Sequence, residues 1–217
     1  MDANLIQKIT IYAIPLIFAI TLHEAAHAYA AKHFGDATAY MLGRMTLNPI
    51  KHIDPIWTIA IPLMLILVGS PFVFGAAKPV PVNFAGLRNP KRDMIWVAAA
   101  GPLANLAMMI FWAIVGKMAT GLPESDPAVF LALVAQAGIF VNALLMVFNL
   151  FPLPPLDGGR IVTGLLPGPL AYKFARIEPY GMFILIGLIV LRVMDFFLWP
   201  LVALSMKTIY GIIGLSS

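Results

Sequence analysis

Residues 23–27 of this chain read His-Glu-Ala-Ala-His, inside its first apolar run. Side chains at i and i+4 lie about 40° apart around a helix and one turn along it. The imidazoles of His23 and His27 can therefore reach one metal ion, with Glu24 beside them. In H-E-x-x-H sites the glutamate acts as general base toward water activated at the metal. Zinc suits that chemistry, because it is redox-inert and brings the pKa of bound water toward about 7. The plainer alternative is a polar face packed inside a helix bundle. Two histidines and a glutamate within an apolar run are costly to leave unpaired, and this weighs toward a functional site.

A catalytic zinc needs a third protein ligand and an open position. The chain has no cysteine. His33 lies about 120° around the helix and roughly 9 Å along it from His27, too far to share the ion. His52 is a further candidate, although its surroundings, Asn48-Pro49-Ile50-Lys51-His52-Ile53-Asp54, read as a solvated loop. Asp157 is the stronger one. It follows Asn149-Leu150-Phe151-Pro152-Leu153-Pro154-Pro155-Leu156 and precedes Gly158-Gly159. Three prolines end a helix there, and irregular backbone at membrane depth is tolerated only when buried or lining a wet cavity. The competing reading of Asp157 is a turn residue capping a short helix.

The elements that must position these groups are membrane helices. The chain has 217 residues, of which 61% are hydrophobic and 11% charged, against roughly 45–50% and 25% in soluble domains. Runs at about 9–31, 94–118, 129–150 and 180–199 are long enough for a hydrocarbon core about 30 Å thick. Residues 56–69 are short for a span and contain Pro62, which favours re-entry, with a tilted span as the alternative. The tail 201–215 reads as a further short span or an interfacial helix. No small-residue cleavage site follows a short apolar run near the start, so the first run reads as a retained helix. The expectation is an all-α integral membrane bundle forming one domain over 1–217. It has about four to six transmembrane helices and a re-entrant segment. A small extended or β element is expected near the site: residues 78–83, Lys-Pro-Val-Pro-Val-Asn, read as extended backbone, with a plain loop as the alternative.

Charge sets the sidedness. Loops 32–55, 71–93 and 151–179 hold Lys32, Arg44, Lys51, Lys78, Arg88, Lys91, Arg92, Arg160, Lys173 and Arg176, ten of the 14 Lys and Arg. Loop 119–128 holds only Glu124 and Asp126. The basic loops belong on the cytoplasmic face of a multi-pass plasma-membrane protein. His27 and Asp157 then fall toward that same face. The net charge of +4 reflects these loops and anionic lipid. It does not point to nucleic acid, since no basic stripe with interleaved aromatics is present.

With HEAAH at 23–27, GPLAN at 101–105 and NLFPLPPLDGG at 149–159, the chain resembles the site-2 protease family of intramembrane zinc metalloproteases. The resemblance implies one Zn2+ per chain held by His23, His27 and Asp157, with Glu24 as base. It implies that Asn149 contacts the substrate backbone or the developing oxyanion. The extended segment 78–83 would add as a strand to an unwound transmembrane substrate. The GPLAN stretch reads as close helix packing, with Asn105 bonding across helices. The chain resembles minimal members, without PDZ or nucleotide-sensing domains. Two other functions remain in play: a metal transporter, expected to carry a series of polar sites, and an inactive homologue that only binds transmembrane helices, against which the intact Glu24 argues.

Overall fold

The computed structural model describes residues 5–61, 64, 67, 78–123 and 125–214. Its helices are α1 (Leu5–His33), α2 (Thr38–Met41), α3 (Pro90–Thr120), α4 (Asp126–Asn149), α5 (Asp157–Leu165), α6 (Gly168–Ala175), α7 (Glu178–Val190) and α8 (Asp195–Ile213). Four are long and apolar enough to cross a membrane: Ile9–His33 of α1, α3, α4 and α8. Prolines in the first turn of α3 and α4 sit where a helix has no use for the missing N–H. Asp93 closes the start of α3 by accepting the Asn89 N–H at 2.8 Å.

α3 is the central element and packs on α1, α4 and α5, while α8 lies against α4 and α3. Between α3, α4 and α8 the core combines Met109, Trp112, Ile139 and Val202 with small Ala113, Ala135 and Ala143. Small residues matter in lipid because close backbone approach, rather than water exclusion, drives helix association. Gly138 marks a close contact of α4 with α3, where a Cβ would fall 2.3 Å from the Trp112 ring. The outer surface is apolar as well, with Phe18, Phe111 and Phe183 exposed, as a lipid-facing surface must be.

The ends of the bundle are distinct. Arg88, just before α3, donates its backbone N–H to Phe34 O (2.9 Å) and its guanidinium to His33 O (2.8 Å), joining the end of α1 to the start of α3. The end of α4 turns directly into α5 at this same end. At the opposite end Lys117 of α3 donates to Ile213 O of α8. The described residues of the three basic loops therefore share one end of the bundle.

Three expectations need correction. The apolar run 180–199 is not one span. α7 ends at Val190, and its 13 residues reach only about 20 Å. Arg192 takes a left-handed φ of 59°, and its Nε pairs with Asp195 Oδ2 at 2.9 Å, so the chain turns before α8 begins. The tail is the span, as part of α8. Second, no β-ladder forms among the described residues; residues 78–83 are non-helical but unpaired with any strand. Third, His52 is not in a solvated loop: it is 2% exposed, and its Nε2 donates to Thr46 O at 2.9 Å. Of the expected re-entrant segment, Pro55–Ala60 forms a wide helical turn. Residues 62–63, 65–66 and 68–77 lie outside the described residues.

Candidate metal centre

His23 and His27 lie one turn apart on the face of α1 that meets α3, both buried. Gly101 of α3 permits this contact. A Cβ there would stand 2.4 Å from His27 Nε2 and 2.6 Å from His23 Nε2, so any side chain would occupy the space between the imidazoles. His27 Nδ1 donates to the backbone carbonyl of Val97 at 2.8 Å, and His23 Nδ1 lies 2.6 Å from Asn105 Oδ1. With Nδ1 engaged on both rings, each Nε2 presents its lone pair to the same point.

Asp157 arrives from the other side as the first residue of α5. Pro152, Pro154 and Pro155 end α4 and fold the chain back. Gly158 and Gly159 let this loop pack backbone against backbone, since Cβ atoms would meet Leu150 O at 2.1 Å and Pro154 N at 2.2 Å. Asp157 Oδ2 lies 3.2 Å from His23 Nε2 and 3.4 Å from His27 Nε2, and the two Nε2 atoms are 3.1 Å apart.

Three donor atoms with nearly equal separations form a metal-sized triangle. Ligands at roughly 2.0–2.1 Å from a tetrahedral zinc lie about 3.3 Å apart, which matches. Asp157 Oδ2 is buried and makes no hydrogen bond, so three lone pairs converge with nothing but a cation to balance them. Among the described residues these are the one group of His and carboxylate side chains able to hold an ion together. His33 is exposed and His52 lies outside the cavity.

A cavity of about 430 Å³ opens beside the triangle, lined by Glu24, Asn149, Arg160 and residues 79–82. Glu24 Oε2 accepts the Val80 N–H at 2.8 Å. The extended segment is tied at both ends: the Lys78 N–H donates to His52 O (2.9 Å), Arg44 donates to Lys78 O (2.9 Å), and the Asn83 N–H donates to Asp36 Oδ2 (2.7 Å). Asn149 uses one amide hydrogen on Leu145 O (2.9 Å), which leaves the other available. Arg160 sits at the rim, paired with Glu178 at 3.0 Å and stacked over Phe84 at 4.7 Å.

The sequence reading brought together His23, Glu24, His27, Asn149 and Asp157, and placed Asn105 across a helix interface. It did not find Arg160, although its spacing of three from Asp157 puts both on the first turn of one helix. It also missed Asn142, whose signal is a lone amide in an apolar helix.

Comparison with known proteins identifies a family. The profile of peptidase family M50 matches residues 124–191, a stretch that holds Asn149 and Asp157 but not residues 23–27. A Bacillus subtilis (strain 168) protein named "Putative zinc metalloprotease YwhC" is 42% identical over 87% of this chain and 84% of its own length. "Putative zinc metalloprotease Rip2" of Mycolicibacterium smegmatis is 28% identical over 86% of this chain and 69% of its own. No solved structure matches. With one relative aligned across nearly the whole chain, the chain belongs to peptidase family M50.

Proposed function

We propose that this chain is a zinc endopeptidase that hydrolyses a peptide bond within or near the transmembrane helix of a membrane-protein substrate. It would act as one membrane-embedded domain, with His23, His27 and Asp157 holding one Zn2+. The observation that carries this reading is the convergence of three buried lone pairs, at 3.1–3.4 Å from one another, beside Glu24. Bound zinc would supply the Lewis acidity that activates water and polarises a peptide carbonyl. Glu24 takes a proton from the attacking water and delivers it to the amide nitrogen as the C–N bond breaks, leaving a carboxylate and an amine. Asn149 lines the cavity, and its second amide hydrogen can donate to the substrate backbone or to the oxyanion. Unwinding of the substrate helix is needed first, because a helix hides its carbonyls in its own hydrogen bonds. Residues 78–83 are extended and 79–82 line the cavity, which supports a role in binding the unwound stretch.

The test is metal content. Protein purified in detergent is expected to carry about one zinc per chain. Asp157→Ala is expected to lose most of it, and the double variant His23→Ala, His27→Ala all of it. Elemental analysis decides the matter, and full zinc in the double variant would overturn the site.

The basic loops favour an orientation with the site end of the bundle on the cytoplasmic face. Because the chain has no cysteine, single cysteines give labelling without background. Cysteines at positions 44, 88 and 173 are expected to react from the cytoplasm, and one at 125 from the opposite face. Labelling of 44 and 88 from different sides would contradict both the orientation and the shared end of the bundle.

A further inference from the structure

Behind His23 lies a chain of buried amides whose orientation can be deduced from its far end. Asn142, in the middle of α4, has its amide beside the backbone carbonyl of Gly138 at 2.8 Å. A carbonyl only accepts, so Nδ2 of Asn142 faces Gly138 and Oδ1 faces the other way. That Oδ1 lies 3.0 Å from the amide of Asn105 on α3, which must therefore present Nδ2. The same Nδ2 donates to a second backbone carbonyl, Ala19 O of α1, at 3.3 Å. Asn105 Oδ1 is thereby turned to His23, and the ring nitrogen 2.6 Å away, Nδ1, must carry the proton. Neutral imidazole has one N–H, so Nε2 is left with its lone pair toward Asp157 and His27. Both asparagines are 0% exposed, so no water competes for these bonds.

We infer that Asn142 is a positioning residue for the metal centre, selecting through Asn105 the tautomer in which His23 Nε2 can bind a cation. This rests on the metal-site reading above. His27 gets the same tautomer in one step, from Val97 O. His23 meets a side chain that could flip, and Asn142, at the shorter distance, removes that freedom together with Ala19 O, which takes the other amide hydrogen. Asn142 belongs to a different helix from His23 and touches no proposed ligand, so its effect reaches the ion only through Asn105.

The experiment measures Zn2+ affinity of the full chain in detergent by chelator competition. Asn142→Leu keeps the volume and loses both hydrogen bonds, and is expected to bind zinc about tenfold more weakly, as loss of an outer-shell partner does. Asn142→Asp, kept protonated by burial, can repeat both bonds and is expected to stay within about threefold of wild type. Asn142→Ser, too short to reach Asn105, replaces the leucine variant if that one does not fold, with the same expected loss. In an Asn105→Ala background, itself expected to weaken zinc by roughly 10- to 100-fold, Asn142→Leu or Asn142→Ser should cause no further loss. A merely structural role would weaken binding equally in both backgrounds. Histidine 15N shifts of the zinc-loaded protein should report His23 bound through Nε2 with Nδ1 protonated in wild type and a mixture of the two forms in the leucine or serine variant. Unchanged zinc affinity in that variant, equal losses in the aspartate variant, or a persistent loss in the Asn105→Ala background would each overturn the proposal. His23→Ala serves as the reference. If it leaves zinc unchanged, the metal site itself is wrong; if it removes zinc while Asn142→Leu and Asn142→Ser do not, only the role of Asn142 falls.

Discussion

Glu24→Gln is expected to lower cleavage of a fixed transmembrane substrate by roughly 10²- to 10⁴-fold, the range a positioned general base contributes. The substitution is nearly isosteric, and the amide oxygen can still accept the Val80 N–H that Glu24 Oε2 accepts at 2.8 Å. The extended segment should therefore stay in place. His23, His27 and Asp157 form the ion-sized triangle without Glu24, so zinc content should match wild type. What is lost is the ability to take a proton from water. Single-turnover cleavage and elemental analysis on the same preparation separate the possibilities. Zinc lost together with activity would make Glu24 part of the metal-binding framework, and undiminished cleavage would remove it from the chemistry.

The second large effect is expected from a methyl group. In Gly101→Ala the new Cβ would lie 2.4 Å from His27 Nε2 and 2.6 Å from His23 Nε2, within the volume that the ion's ligands occupy. Neither ring can swing away freely, because Val97 O and Asn105 hold the Nδ1 atoms. Zinc affinity is expected to fall by more than about 100-fold, beyond the loss of one outer-shell partner. Alanine is a better helix former than glycine by about 1 kcal/mol, so α3 itself should form readily. A folded protein with empty ligands is the expected state, seen as normal helical circular dichroism with zinc absent. Near-normal zinc affinity would mean that α1 and α3 stand further apart than the glycine contact indicates.

Much of this site was legible because its chemistry is local in sequence. His23, Glu24 and His27 declare themselves through helical spacing alone, and Asp157 through the prolines and glycines around it. The tautomer control was not legible. Val97 acts through a backbone carbonyl, which no side-chain pattern reports, and Asn142 acquires meaning only once α3 is laid against α4. The membrane helices followed from apolar length, with one failure. Across 180–199 the summed hydropathy outweighed Arg192 and Asp195, yet these two residues pair with each other and turn the chain between α7 and α8. His52 misled for the opposite reason. Its polar neighbours in sequence suggested solvent, whereas its neighbours in space bury it beside the extended segment, where its carbonyl anchors Lys78.

The bond between the Val80 N–H and Glu24 has a consequence for apparent affinity. A hydrogen bond to a charged group contributes on the order of 1.5–3 kcal/mol net. At rest, roughly one molecule in ten to one in a hundred then has both the carboxylate and that N–H free. A substrate that needs both meets only this minority, and its observed dissociation constant is raised over the intrinsic one by the reciprocal of that fraction. Peptides that bring their own acceptor for the Val80 N–H relieve the penalty, whereas those offering only apolar contacts bear it in full. Under the proposed function, the resting population would rank substrates by backbone unwinding before any side chain is read.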